Sequence, residues 1–291
     1  MIRLVIPKGS LEKQTLVLLE DAGLPVRRSG DREYNVSIGD DRISQVSILR
    51  PQEIGKYVEE GLFDLGITGL DWVEETGAQV EILADLPYAK TGGTSNLRIV
   101  LAVRGSSGIS RPEDLPPGTT VATEYPGIAR RYFDGLGVQA RVMASAGATE
   151  AKVPNIVDAI VEITETGSTL RAHGLEVIGE VFRTSTKLIA NRESYANPRK
   201  RKSMEEIKTL LLSAIEARGK VLLKLNVEAQ RTDAVVDMLP AMRSPTVSEL
   251  ADGGFAVETV VEKSALAELI PRLKEAGAQA ILELPLGKVV P

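Results

Sequence analysis

A recurring order of apolar segment, glycine turn and helix constrains the fold of this 291-residue chain more than any other feature. The apolar segments are residues 1–6, 46–49, 64–68, 97–103, 119–123, 141–144 and 160–164. Strands that alternate with helices form parallel sheets, so residues 1–195 are predicted to be α/β with a parallel sheet. Ligands of such sheets bind beyond the carboxyl ends of the strands. The turns there are therefore the first places to look for a site.

The composition changes after this part of the chain. Residues 191–202 are polar and basic, and we expect a solvated linker there. A helix is expected over residues 203–218, because Ser203 and Glu206 have the spacing of a capping box. Strand, helix, strand, strand, helix and strand are then predicted at residues 221–227, 232–239, 246–250, 255–261, 264–275 and 280–283. This βαββαβ order is typical of a ferredoxin-like module.

Composition and charge exclude several classes of function. The net charge is −5 and the pI about 5.3, which does not favour nucleic-acid binding. Cysteine is absent and His173 is the single histidine, so disulfides, thiolate catalysis and multi-histidine metal sites are excluded within the chain. The N-terminal apolar run is too short for a signal peptide, and no stretch has transmembrane length. We expect a cytoplasmic protein that binds no membrane.

The stretch 147–175 carries the strongest chemical signal. It passes from an apolar strand into the turn Thr166-Gly167-Ser168-Thr169 and then into a helix. Such a turn directs amides, hydroxyl groups and the positive end of a helix toward one point, which suits a phosphate monoester. Glycine at position 167 allows the backbone to approach closely. On spacing alone the turn could equally be a plain helix N-cap.

Acidic residues surround this turn in the sequence, at Glu150, Asp158, Glu162 and Glu165. A site for phosphate alone would not favour carboxylates nearby. A site for a phosphorylated sugar would, because carboxylates accept hydrogen bonds from ribose hydroxyls or hold Mg²⁺. The pattern therefore indicates a phosphorylated sugar.

The same stretch resembles the phosphoribosyl pyrophosphate signature of ATP phosphoribosyltransferases of the long form. The matching pieces are Gly147-Ala148-Thr149-Glu150, Asp158-Ala159-Ile160, Thr166-Gly167-Ser168-Thr169-Leu170 and Gly174-Leu175. Further matches occur on both sides of this stretch, in the same order as in the family, at residues 7–11, 48–51, 64–69, 71, 121–126, 130–133, 244–246 and 277–282. The resemblance spans nearly the whole chain.

The resemblance implies a binding site for phosphoribosyl pyrophosphate. The residues that would hold its 5-phosphate are Thr166, Gly167, Ser168 and Thr169. Glu150 and Asp158 would accept hydrogen bonds from the ribose and support Mg²⁺, which is held mainly by substrate phosphates.

It also implies a site for ATP. Lys8 and Arg50 would bring positive charge to the triphosphate or to the departing pyrophosphate, and with Glu150 they form the expected catalytic set. Asp71 and Tyr125 would contact the adenine nucleotide. His173 is expected to pack in the helix after the phosphate turn, since a general base needs demonstrated reach to its proton.

The fold implied is a two-lobed, periplasmic-binding-protein-like catalytic region over residues 1–202, followed by a ferredoxin-like regulatory domain over 203–291. The lobes are expected at about 1–95 with 180–202, and at 96–179. The reaction implied joins N1 of ATP to the ribose of phosphoribosyl pyrophosphate and opens histidine biosynthesis. A homo-oligomer, dimer to hexamer, is expected.

Feedback inhibition by histidine is also implied, with Thr246 at the effector site. The chain departs from some relatives at the position expected to bind the amino group of histidine. Some relatives have an acid on the first strand of the tail, whereas this chain has Leu223-Lys224-Leu225-Asn226 and no acid before Glu228.

Two alternatives from other classes remain at this point. A solute-binding protein has a related two-lobed plan, but it would need a signal peptide and no βαββαβ tail. A ligand sensor without catalytic activity would bind an amino acid through the tail and form no product from ATP and phosphoribosyl pyrophosphate.

Overall fold

A computed structural model describes residues 1–30, 33–88, 97–240, 244–251 and 253–290. The chain divides into two compact units. The N-terminal unit contains Met1–Glu20 and Leu24–Lys208, and the C-terminal unit contains Asp21–Gly23 and Thr209–Pro291. None of the helices in the described ranges is both long and apolar enough to span a bilayer.

The first sheet of the N-terminal unit is built around buried apolar strands. Its strands are β1 (Ile2–Pro7), β2 (Val26–Arg27), β3 (Asn35–Ile38), β4 (Ile43–Leu49), β5 (Leu65–Gly69), β6 (Glu81–Leu86) and β12 (Thr186–Ala190). Across the described residues their order is β2-β3-β4-β1-β5-β12-β6. β1 pairs with β4 and β5 in parallel, as predicted, whereas β12 pairs with β5 and β6 in antiparallel fashion.

The second sheet forms the other lobe. It consists of β7 (Leu97–Arg104), β8 (Thr119–Thr123), β9 (Ala140–Ala144), β10 (Ala159–Thr164) and β11 (Leu175–Thr184), in the order β11-β7-β10-β8-β9. β8 is parallel to β9 and β10, but β7 is antiparallel to β10 and β11. The prediction of a parallel sheet was therefore wrong, since both sheets are mixed. The chain reaches β7 directly from the first lobe and β12 directly from the second lobe. No crossover helix within one sheet therefore imposes a parallel direction on these two strands.

The helices of the N-terminal unit cover the sheets or follow the glycine turns. They are α1 (Glu12–Asp21), α2 (Pro51–Glu59), α3 (Leu70–Thr76), α4 (Pro126–Leu136), α5 (Ser168–Ala172) and α6 (Arg192–Ala196), followed by α7 (Pro198–Ala217). Val73 of α3 belongs to the core of the first lobe, whereas Phe133 of α4 belongs to that of the second.

The linker expected at residues 191–202 is largely helical. α7 begins at Pro198, and Asn197 Oδ1 accepts from the amides of Arg199 and Lys200 at 3.0 and 3.3 Å. Asparagine followed by proline is a strong helix start, and it precedes the predicted capping box. Ser203 instead lies inside the helix, and its hydroxyl donates to the carbonyl of Arg199 at 3.4 Å.

The C-terminal unit has the predicted ferredoxin-like fold. Its elements are β13 (Lys220–Val227), α8 (Thr232–Val236), β14 (Thr246–Glu249), β15 (Phe255–Glu262), α9 (Leu266–Glu275) and β16 (Gln279–Pro285). The strand order is β14-β15-β13-β16, with every pairing antiparallel. Alternate residues of β13 are buried, because one face of this sheet packs on α8 and α9.

Candidate active site

A cavity of about 750 Å³ lies in the N-terminal unit, where the carboxyl ends of β1, β4, β5 and β10 meet. Its volume is in the range that small-molecule sites occupy. The sequence-predicted residues that line it are Lys8, Arg50, Asp71, Tyr125, Glu150, Thr166, Ser168 and Thr169. The fold thus gathers side chains that are spread over more than 160 residues of sequence.

The turn before α5 has the conformation that its sequence suggested. Gly167 has φ +73° and is the N-cap residue of α5. A Cβ atom here would lie 3.0 Å from Nη1 of Arg171, a side-chain end that can move, so it is the positive φ that makes the position favour glycine. Thr164 Oγ1 accepts from the Gly167 amide at 2.8 Å, and the Thr166 hydroxyl donates to Ser168 Oγ at 3.0 Å. The turn is therefore held in shape before any ligand binds.

Five acidic residues line this cavity: Asp71, Glu124, Glu150, Glu162 and Glu165. Burial raises the pKa of Glu162, and the charges of Glu124 and Glu150 raise it further. Carboxylates that repel one another in a shared volume favour ligands that bring hydroxyl donors or cations. Glu162 was named among the acids around the turn, but the sequence analysis gave it no role in the site. The available signal was an acid inside the otherwise apolar strand β10.

Asp158 is not brought to the cavity, which corrects its assignment to ribose and Mg²⁺. It precedes β10, whereas the turn Thr166-Gly167-Ser168-Thr169 follows that strand. Its Oδ2 accepts from the amide and hydroxyl of Thr120 at 2.8 and 2.7 Å. These bonds lower the pKa of Asp158 and tie β10 to β8. A six-residue strand separates the two ends by roughly 20 Å, beyond the reach of one side chain.

Two cations stand at the cavity. Lys8 follows β1, and its Nζ donates to the Tyr34 hydroxyl at 2.6 Å and lies 4.2 Å from the centre of that ring. Arg50 is the N-cap residue of α2 and is exposed. Both side chains can meet an anionic ligand.

The predicted nucleotide contacts, Asp71 and Tyr125, form part of the cavity wall and are both buried. Thr184 donates to Asp71 Oδ1 at 2.7 Å and accepts from its amide at 3.0 Å. Burial raises the pKa of Asp71, and burial beside this carboxyl raises that of Tyr125. The Tyr125 ring packs on Trp72, with 4.7 Å between centroids. Trp72 also lines the cavity, although it was not predicted from the sequence as a site residue.

His173 and Thr246 lie elsewhere. His173 is exposed at the end of α5, with Nδ1 2.9 Å from the carbonyl oxygen of Thr169. Thr246 is exposed on β14, opposite Glu258 of β15. A smaller cavity of about 340 Å³ in the C-terminal unit is lined by Asn226, Val227, Glu228, Ala229, Gln230, Leu250, Gly253, Gly254 and Gln279. Thr246 is not part of its lining.

The cavity suits a metal ion that arrives with phosphate. Glu150 and Glu162 offer carboxylate oxygens, the ligand type that Mg²⁺ prefers. In the ranges that the structure describes, no three His, Cys, Asp or Glu side chains are grouped closely enough to form a protein cage. Mg²⁺ commonly binds through one or two carboxylates together with substrate phosphates and water. The residues present fit that mode.

Comparison with known proteins places these features in a family. The model for ATP phosphoribosyltransferase matches residues 50–213, and the model for the HisG C-terminal domain matches residues 217–288. The chain is 47% identical to the ATP phosphoribosyltransferase of Nitratidesulfovibrio vulgaris (strain DP4), over 99% of this chain and 98% of that protein. It is 44% identical to the enzyme of the same name from Desulforudis audaxviator, over 100% and 99% of the two chains.

A solved structure agrees with the catalytic fold. A chain of the Thermotoga maritima ATP phosphoribosyl transferase (HisG:HisZ) complex superposes with a TM-score of 0.61 at 27% identity. The match covers 73% of this chain and 99% of that chain.

Proposed function

The chain belongs to the ATP phosphoribosyltransferase family of histidine biosynthesis, and we propose that it joins N1 of ATP to C1 of phosphoribosyl pyrophosphate and releases pyrophosphate. One observation carries this proposal. A single cavity combines a glycine turn suited to phosphate, carboxylates suited to ribose hydroxyls, and two cations. Two large anionic substrates that react with each other need such a combination.

In this reaction the C1–O bond to pyrophosphate breaks as the N1–C1 bond forms, and pyrophosphate leaves with the bonding electrons. The turn Thr166-Gly167-Ser168-Thr169 anchors the 5-phosphate through hydroxyls and the start of α5. Glu150 and Glu162 accept hydrogen bonds from the ribose hydroxyls. Lys8 and Arg50 stabilise the charge that develops on pyrophosphate.

No strong general base is required, because N1 of neutral adenine carries no proton. The rate gain would come chiefly from alignment of the two substrates in one cavity. A Mg²⁺ ion bound to the substrate phosphates, with Glu150 as its protein ligand, would add further charge stabilisation at the leaving group.

The test is direct assay of the whole chain with ATP, Mg²⁺ and phosphoribosyl pyrophosphate, following the N1-ribosylated product by ultraviolet absorbance. Thr169→Val removes one hydroxyl from the phosphate turn at nearly constant volume. It should raise KM for phosphoribosyl pyrophosphate about tenfold, as expected for the loss of a hydrogen bond to a charged group. Thr232→Val makes the same change in the C-terminal unit and should leave KM unaltered. No product from the wild-type chain would refute the proposal.

We also propose that the C-terminal unit is regulatory, that the chain forms homo-oligomers from dimer to hexamer in the cytoplasm, and that histidine inhibits it. The support is positional. The candidate active-site residues all lie between Lys8 and Thr169, whereas the ferredoxin-like unit has its own smaller cavity. Histidine binding outside the active site would need only a preference of about 1–3 kcal/mol for one of two states to change substrate affinity severalfold.

A further inference from the structure

The two lobes of the N-terminal unit meet through α3 and α4. The Glu75 carboxylate, on α3 of the first lobe, accepts from the amides of Gly127 and Ile128 at 2.8 Å each. These amides belong to the first turn of α4 in the second lobe, where helix N–H groups have no partner within the helix. Glu75 therefore caps a helix of the other lobe.

Other contacts join the same two helices. Arg131 of α4 donates through Nη2 to the carbonyl oxygen of Glu74 at 2.8 Å. Trp72 of α3 packs against the apolar core of the second lobe and on the ring of Tyr125. Gly127 lies so close to α3 that a Cβ atom there would be 3.1 Å from both Glu75 carboxylate oxygens. The contact is thus specific in geometry as well as in charge.

This contact acts on the cavity through one residue. Tyr125 is the N-cap residue of α4, two positions before Gly127, and its side chain lines the cavity beside Asp71 and Trp72. If the first turn of α4 moves away from α3, Tyr125 and its cavity wall must move with it. We infer that Glu75 is a positioning residue, which locks α4 onto α3 and so holds the Tyr125–Trp72 wall in place for the nucleotide.

The kinetic part of this inference rests on the proposed function, because it takes ATP as the ligand of that wall. Glu75→Gln keeps the shape of the side chain but loses the charge that the positive end of α4 favours. We expect KM for ATP to rise about tenfold, equivalent to about 1.4 kcal/mol, with kcat changed by less than about threefold. Binding of ATP would weaken equally in the ground state and in the transition state, because Tyr125 is not placed at the reacting bond. KM would therefore change more than kcat.

A second readout does not depend on catalysis. Trp72 is the single tryptophan of the chain, so its fluorescence reports this contact directly. Glu75→Gln should make Trp72 more accessible to acrylamide quenching in the absence of substrate. Glu75→Asp retains the charge on a shorter side chain, so its acrylamide quenching should lie between that of the wild type and that of Glu75→Gln. Glu74→Gln is the matched control, because Glu74 joins the contact through its backbone carbonyl.

The outcomes separate the two proposals. A Glu75→Gln protein with wild-type KM for ATP and wild-type quenching would overturn the inference, as would a lower melting temperature alone with both readouts unchanged. If the wild-type chain forms no product, the proposed function fails, and the quenching series then decides whether Glu75 holds the wall.

Discussion

The stability of the N-terminal unit should depend strongly on Asp64. This residue precedes β5 and its side chain is 1% exposed. Its Oδ2 accepts from the amide and Nε of Arg3 at 2.8 and 3.1 Å. Its Oδ1 accepts from Ser194 and Lys200 at 2.7 Å each. One carboxylate thus ties β1 to α6 and α7, far along the chain.

The perturbation is Asp64→Asn, which preserves shape and removes the charge. Loss of one partner from a buried ion pair costs about 3–5 kcal/mol, because the remaining charge is left without compensation. The side chains of Arg3 and Lys200 are 38% and 32% exposed, so water compensates for part of this loss. We therefore expect about 3 kcal/mol of destabilisation, or a melting temperature lower by about 6–12 °C for a unit of this size.

The pH dependence has a definite sign. Burial alone would raise the pKa of Asp64, but the hydrogen bonds from Arg3, Lys200 and Ser194 together outweigh it and hold the pKa far below its ordinary value. A lowered folded-state pKa contributes stability that is complete above the unfolded-state pKa and is lost as pH falls toward the folded-state value. The difference between wild type and Asp64→Asn should therefore be about 1 kcal/mol smaller at about pH 3 than at about pH 6.

Urea denaturation followed by circular dichroism, with calorimetry for the melting temperature, measures both effects. Asp114→Asn is the control. It makes the same change in an ion pair whose members are 73% and 40% exposed, and it should cost less than about 1 kcal/mol. Equal stability losses in the two variants would refute the reasoning, and so would a wild-type advantage over Asp64→Asn that grows in acid.

The remaining predictions concern the site, the regulation and the assembly. Gly167→Val, which combines a φ of +73° with a close contact to Arg171, should weaken phosphoribosyl pyrophosphate binding about 100-fold by calorimetry with an unchanged circular dichroism spectrum; unchanged affinity would contradict the phosphate turn. Glu162→Gln should remove the acid limb of the kcat/KM profile, because that limb reports an acid whose pKa burial has raised; an identical limb would assign it elsewhere. Thr246→Val should keep turnover but need more histidine for half-inhibition, and lost turnover with an intact histidine response would place Thr246 in catalysis. Light scattering should detect dimers or larger forms, and a fully active monomer at all concentrations would contradict the expected assembly.

The sequence was sufficient for the features that depend on neighbouring residues. Apolar segments before glycine turns located the main strands and the turn Thr166-Gly167-Ser168-Thr169, because helix starts and left-handed glycine positions are set by local chemistry. The βαββαβ order of the tail was readable for the same reason. Family resemblance then identified Glu150, Lys8 and Arg50 as candidates, and the structure brings all three to one cavity.

The tertiary structure decided which side chains share that cavity. Asp158 and Glu162 both lie in the signature stretch, but Asp158 precedes β10 and Glu162 lies within it, and only the position of that strand decides which of them lines the cavity. The direction of β7 and β12 depends on how they pair with strands that are far from them in sequence, and Glu75 caps a helix whose first residue is 51 positions away. Pairings of this kind are set by packing between distant segments, and no local pattern in the chain records them.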